Sequence, residues 1–470
     1  MSDAHAVELV GWRFYLDRLE TRLPFRFGIT TMRQAPKLLL EVEIRDESGS
    51  TTKGFSADLL VPKWFEKDPN KSADEDVHNL IESARCAANA WSKLGIGSVF
   101  GRWYETYEER VRRLPADSPS RLVHGFGVAL VERAIIDAWC RMNELSFFDA
   151  LRGEGLGFRP GLVHAELHGW SLADALASGP ATSVKLRHTV GLADPLTDAD
   201  EIEGEPDGLP RTLVDNIRRY GLDTFKIKLC GDAAIDGPRL ARIGEILMDE
   251  TGGVPLWTVD GNEQFADAGD LALFLDEFER TPVGSRFLAG LAYVEQPLSR
   301  KISFDQSQRA GIERLSDRVP IILDEADHGL SAFPRGLELG YQGVSIKNCK
   351  GVFRSLLNRG LCDMHDGHAF QSAEDLTNLG VLALNQDLAT VAALGLPHVE
   401  RNGHHYFRGL DHLPEREAEA ALANHPGLYT RTEERIALRI EDGRLDLRSL
   451  DTVGFGYAVD IRTDERTRLE

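Results

Sequence analysis

The sequence has little cysteine: five residues in 470, at positions 86, 140, 230, 349 and 362, with no CxxC pair. An odd count without paired spacing argues against a disulfide framework and against a cysteine zinc site, and fits a reduced chain. Cationic residues are also scarce, 54 Lys and Arg against 75 Asp and Glu, for a formal charge of -21. That balance argues against nucleic acid or an anionic membrane as a partner. No run is long and apolar enough to span a bilayer. Asp3, Glu8, Arg13, Asp17, Arg18 and Glu20 break up the N-terminal stretch and read against an ordinary signal peptide, so a cytoplasmic protein is expected. Low-complexity tracts and sequence-level repeats are lacking too. What remains is 42% hydrophobic and 27% charged, a globular composition too long for one ordinary domain unless much of it is a large α/β barrel.

The first sixty residues read as strands: Val7-Glu8-Leu9-Val10, Phe14-Tyr15-Leu16 and Leu38-Leu39-Leu40-Glu41-Val42-Glu43-Ile44, with residues 22–29 as a loop. Helical spacing follows at Val77, Leu80, Ile81, Ala84, Ala88 and Trp91, and again over residues 123–140. Strands first and helices afterwards indicate an α+β domain over 1–155, bounded by Gly153, Gly155 and Gly157. From residue 156 to 410 strands alternate with helices, which predicts a parallel sheet closed into a (β/α) barrel. Residues 194–210, rich in Asp, Glu, Gly and Pro, read as an inserted surface loop. Residues 436–447 read as a hairpin turning at Gly443. The segment 411–470 is expected to return to the N-terminal domain, making it an α+β cap on a TIM-like barrel.

Chemistry-bearing residues recur at the C-terminal ends of the barrel strands. Phe225-Lys226-Ile227-Lys228-Leu229 places two lysines on one strand face and three apolar residues on the other. Taken alone, such a lysine pair reads as a solvated face. In a barrel the outward face packs on helices, so the lysines must point inward. Asp260, Glu295 and Asp324 then each close an apolar strand, 35 and 29 residues apart, one helix and one strand per gap. Three carboxylates converging on one mouth repel one another and need a cation. Oxygen ligands alone favour a hard ion, Mg²⁺ before Ca²⁺ or Mn²⁺. Lys228 precedes this triad and Lys347 follows it, so the two would face each other across the ion. A second lysine and a cation nearby push a lysine pKa down, toward service as a base. Two opposed bases and a Lewis acid suit removal of a proton α to a carboxylate, with the metal stabilising the enediolate.

In Phe225-Lys226-Ile227-Lys228, Val259-Asp260-Gly261-Asn262-Glu263, Val294-Glu295-Gln296-Pro297, Leu323-Asp324-Glu325 and Ile346-Lys347-Asn348-Cys349-Lys350-Gly351, the chain resembles the enolase superfamily. Within it, the likeness is to the muconate lactonizing enzyme subgroup of the mandelate racemase/muconate lactonizing enzyme family. The resemblance implies Asp260, Glu295 and Asp324 as Mg²⁺ ligands (Mn²⁺ as the substitute), Lys228 and Lys347 as the acid/base pair, and Lys226 as an auxiliary lysine near the substrate carboxylate. It implies Asn262 and Glu325 as supports behind the metal. Residues 25–32 and 55–64 would be the capping loops that read the substrate, with Arg26 and Lys63 as anion contacts. It also implies a small-molecule carboxylate substrate and a homo-oligomer. Val352 stands where the family often has a second glycine. Glu374 and Asp375 read as capping or loop residues, and His368 comes early for a seventh-strand base.

The expected activity is therefore racemisation or epimerisation, with cycloisomerisation or syn-elimination as the alternative. A Schiff-base lysine lyase, which would not need the three acids, and a catalytically silent metal-binding barrel remain open from other classes.

Overall fold

The computed structural model describes residues 6–28, 30–115, 118–432 and 434–469. Its N-terminal sheet is antiparallel, in the order β1 (Val7–Asp17), β4 (Lys37–Asp46), β5 (Thr51–Leu59), while β2 (Glu20–Phe27) and β3 (Thr30–Gln34) form a separate hairpin. Residues 22–29, expected as a loop, thus lie largely in β2. Helix α1 (Ala73–Ser92) starts at a capping box in which Ser72 and Glu75 satisfy each other's backbone N–H groups. After α2 (Val99–Tyr107), helix α3 (Arg121–Met142) is buried on nearly every side, because the sheet, α1 and the barrel all pack against it. Gly54 allows this contact: a Cβ there would lie 2.3 Å from the Ala134 carbonyl oxygen and the Ala138 nitrogen.

The barrel follows. Its strands are β6 (Ser183–Val190), β7 (Thr224–Lys228), β8 (Leu256–Asp260), β9 (Leu291–Glu295), β10 (Ile321–Leu323), β11 (Gly343–Ile346), β12 (Phe370–Ala373) and β13 (His398–Glu400). They pair in parallel and in sequence order, and β13 closes on β6. Each strand is followed by at least one helix, the crossover that parallel pairing demands. The outward Phe225, Ile227, Val259 and Val294 are buried in the shared core.

The C-terminal segment departs from the expected hairpin. Strand β15 (Ile436–Leu438) pairs with β14 (Tyr429–Arg431), whereas β16 (Arg444–Asp446) adds antiparallel to β6 on the barrel. The chain then returns to the cap, where Leu469 N–H donates to the Phe14 carbonyl and Leu16 N–H to that of Thr467.

Candidate active site

Strand register sets the site. Lys228 lies opposite Asp260, and Asp260 opposite Glu295, so three strand tips end in line. Asp324 follows β10 and Lys347 follows β11. Because β7 and β11 are four strands apart in an eight-strand ring, Lys228 and Lys347 come from opposite walls. Both line one cavity of about 30 Å³ beneath the cap, together with Lys226, Asn262 and Asp324. Roomier clefts of about 660 and 730 Å³ lie elsewhere and contain none of the strand-tip carboxylates.

Lys226 sits at the centre of the acids. Its Nζ lies 3.0 Å from Asp260, 2.7 Å from Glu295, 3.2 Å from Glu374 and 2.8 Å from Glu400. Burial alone would lower its pKa, but Asp260 and Glu295, with Glu374 and Glu400, hold it well above the ordinary lysine range. Lys228 donates to Asp260, and Lys347 to Asp324 at 2.7 Å. Lys347 also lies 3.2 Å from Glu374 and 4.7 Å from the centre of the Trp64 ring. Its pKa is raised well above the lysine range, because Asp324 and Glu374 outweigh burial. The neighbouring Lys226 pulls it down, and the acids outweigh that pull.

Glu374 and Glu400 join the strand-tip cluster although sequence reasoning did not place them there. Glu374 follows β12, where Gln371 and Ser372 hide the apolar run that marks the other strand tips, while Val399-Glu400 repeats the apolar-then-acid pattern and was legible. Arg187 on β6 donates to Glu374 at 2.8 Å. His368 lies exposed, before β12 begins and away from the mouth.

The donor set fits a hard divalent ion. Oxygens of Glu295, Asp324 and Glu374, all buried, lie within 4.8 Å of one another, and Asp260 is joined to Glu295 through their shared contact with Lys226. Glu295 is held well above the carboxylate range by burial and by Asp260 and Glu374, against the pull of Lys226. Asn262 steadies Asp260 through its backbone N–H and its side-chain amide, at 2.8 and 3.2 Å. Glu325 is buried with both oxygens free of hydrogen-bond donors. Burial pushes it up to about 7 despite Lys67 at 3.7 Å.

The residues proposed to contact substrate behave differently from expectation. Arg26 is exposed and does not line the cavity; Lys63 is spent on Asp76 at 3.0 Å and on the carbonyls of Asp68 and Lys71. The two capping segments nonetheless form the cavity's outer wall, through Phe25, Phe27 and Met32 from the hairpin and Val61 and Trp64 after β5. Ile29, within the first segment, lies outside the described residues.

No family model and no curated protein sequence matches the chain. Solved structures do. The L-Ala-D/L-Glu epimerase from Bacillus subtilis matches with a TM-score of 0.58 at 15% identity, over 97% of this chain and 100% of that one. The muconate lactonizing enzyme from Pseudomonas fluorescens matches with a TM-score of 0.59 at 15% identity, over 97% and 98%. A dipeptide epimerase from Cytophaga hutchinsonii, solved with Mg and the dipeptide D-Ala-L-Val, matches with a TM-score of 0.60 at 11% identity, over 99% of both chains. The chain has the capped-barrel fold of the enolase superfamily. Its structural neighbours are epimerases, racemases and cycloisomerases of that superfamily.

Proposed function

We propose that this protein is a divalent-cation-dependent isomerase that moves the α proton of a small carboxylate, as a racemase or epimerase. The observation that carries the reading is the placement of Lys228 and Lys347 on opposite barrel strands, facing one cavity beside a buried carboxylate cluster. Asp260, Glu295 and Asp324, with Glu374 beside them, would hold Mg²⁺. Bound there, the ion would neutralise carboxylates that keep Lys347 and Lys226 protonated, and would stabilise charge as it builds on the substrate carboxylate.

The chain's own residues do the rest. Lys228 and Lys347 reach the α carbon from opposite faces, so one removes the proton and the other returns one with inverted configuration. Lys226, fixed by four carboxylates, supplies fixed positive charge at the floor rather than a mobile proton. Phe25, Phe27, Met32, Val61 and Trp64 keep water from the carbanionic centre.

The test is α-proton exchange in D₂O, followed by ¹H NMR across N-acyl amino acids, dipeptides and sugar acids, with Mg²⁺ and with EDTA. Exchange that requires the metal and, in Lys228→Ala, disappears from one enantiomer supports the reading. Metal-independent activity with a borohydride-trapped adduct would replace it with Schiff-base chemistry.

A further inference from the structure

Trp64 reaches the barrel mouth from the cap. Its ring centre lies 4.7 Å from Lys347 Nζ, inside the range of a cation–π contact. Among the described residues, no ring stands over Lys228 in this way. The two lysines therefore differ in one respect: only Lys347 leans on a residue of the cap. Trp64 belongs to a turn, outside any helix or strand, so no ladder of backbone hydrogen bonds fixes it.

What fixes it is Arg300, in the loop after β9, with its side chain 9% exposed. Its Nη2 donates to the Trp64 carbonyl at 2.9 Å and its Nη1 to the Phe65 carbonyl at 2.8 Å. Nε and Nη2 also hold the two carboxylate oxygens of Glu263, at 3.0 and 2.8 Å, and the Arg300 backbone N–H donates to the same group at 2.6 Å. Glu263 lies just past the tip of β8, and Lys67 of the capping segment grips it too, at 2.6 Å. Burial would raise the Glu263 pKa, but Arg300 and Lys67 hold it at about 2, so the carboxylate is charged at neutral pH. Asn262 and Glu263 sit at positive φ, 45° and 67°, where residues with side chains seldom lie. Such backbone persists where its surroundings fix it, and this grip does so. One planar guanidinium thus ties the end of β8 and the loop after β9 to the backbone of the cap, a span that the point charge of a lysine would not cover.

We infer that Arg300 is a positioning residue for one of the two lysines: it pins the capping segment to the barrel so that Trp64 stands over Lys347, and it leaves Lys228 untouched. The inference rests on the two-lysine reaction proposed above. Loss of Arg300 should therefore fall on one face of the α carbon, whereas a residue that only holds the fold together would affect both faces alike.

Two measurements on the full chain with Mg²⁺ test this. The first is acrylamide quenching of tryptophan fluorescence, with the Trp64 signal taken as the difference between each protein and its Trp64→Phe counterpart. Trp64 is 5% exposed, so its signal should be shielded in the parent protein and open to the quencher in Arg300→Met. The second is exchange in D₂O from each enantiomer of N-acetylphenylalanine and from L-alanyl-L-phenylalanine and L-alanyl-D-phenylalanine. Lys347→Ala identifies the stereoisomer that depends on Lys347. Arg300→Met should lower kcat for that one about tenfold, the worth of a partly desolvated cation–π contact, and spare the other. Trp64→Leu should show the same asymmetry, and combining the two changes should add nothing further. If Arg300→Met fails to fold, Arg300→Lys keeps a charge beside Glu263 without the fork and serves in its place. Equal losses from both stereoisomers, or a Trp64 signal still shielded, overturn the inference and leave the reaction standing. A released Trp64 with no exchange in the parent protein overturns the reaction and leaves the clamp. A shielded Trp64 with no exchange overturns both.

Discussion

Lys347 is pinned between Asp324 at 2.7 Å and Glu374 at 3.2 Å, under the face of Trp64. Lys228 is pinned on the opposite wall by Asp260. If each serves one face of the α carbon, the two single variants should be stereochemically distinct. Lys228→Ala should stop exchange from one enantiomer, and Lys347→Ala from the other, each by about 10²–10⁴-fold, the worth of a positioned acid or base. Enantiomer-resolved exchange in D₂O measures this directly, and equal losses from both enantiomers in either variant would point to one base. These residues were legible because period-two alternation and an acid after an apolar run are local signals: Phe225, Ile227 and Leu229 had to face the helices, which left Lys226 and Lys228 no other direction. Glu374 was not legible, since Ser372 faces the barrel interior while Gln371 donates outward to the Ser355 carbonyl, and the two together break the apolar run that marks a buried strand. Arg26 and Lys63 failed for the opposite reason. Their residue types suit an anion, but only tertiary structure shows that Arg26 faces out and Lys63 is spent on its own loop.

The β2–β3 hairpin supplies Phe25, Phe27 and Met32 to the cavity, so whatever holds it down holds the site shut. The inserted segment 194–210 does this. Arg22, with its side chain 2% exposed, donates to both oxygens of Asp207 at 2.7 Å and to the His405 carbonyl at 2.7 Å. Burial would raise the Asp207 pKa, but Arg22 holds it far below the carboxylate range. Arg22→Leu removes one partner of a nearly buried pair. It should cost about 3 kcal/mol by urea unfolding, and should raise KM more than it lowers kcat, because the hairpin meets substrate rather than the proton. The loop reading of 22–29 came from Pro24 and Gly28. Proline is tolerated because β2 pairs on one side only, with an irregular register between Glu20 and Phe25. The reading of 436–447 erred differently: the turn at Gly443 is real, but alternation marks a strand without naming its partner, and β15 and β16 go to different sheets.

Across the whole molecule, α3 is the joint between cap and barrel, and it is built from buried ionisable groups. Arg133 pairs with Asp58 on β5, Asp137 accepts from Tyr457 and from the Phe455 N–H of the returning C-terminal segment, and Glu132 accepts from the Phe353 N–H at 2.6 Å, in the helix after β11. Burial pushes Glu132 up to about 8, and the Phe353 N–H, Arg133 and Arg354 offset this only in part. Below about pH 4.5 the group is protonated both folded and unfolded, and it costs nothing. As pH rises toward 8, the unfolded chain ionises while the folded one keeps its proton. Folding then takes up a proton, and stability falls by about 1.4 kcal/mol per pH unit, toward roughly 5 kcal/mol in all. Glu132→Gln imitates the protonated form. Its stability relative to the parent protein should therefore rise steadily from pH 5 to pH 8, read as the difference in urea midpoints at pH 5, 6.5 and 8. Asp387, pushed up to about 7 by burial, slopes the same way, so the variant should flatten the decline without removing it. A difference that stays constant with pH would mean that Glu132 is already ionised in the folded joint, and that the helix after β11 accepts a full negative charge where it meets the cap.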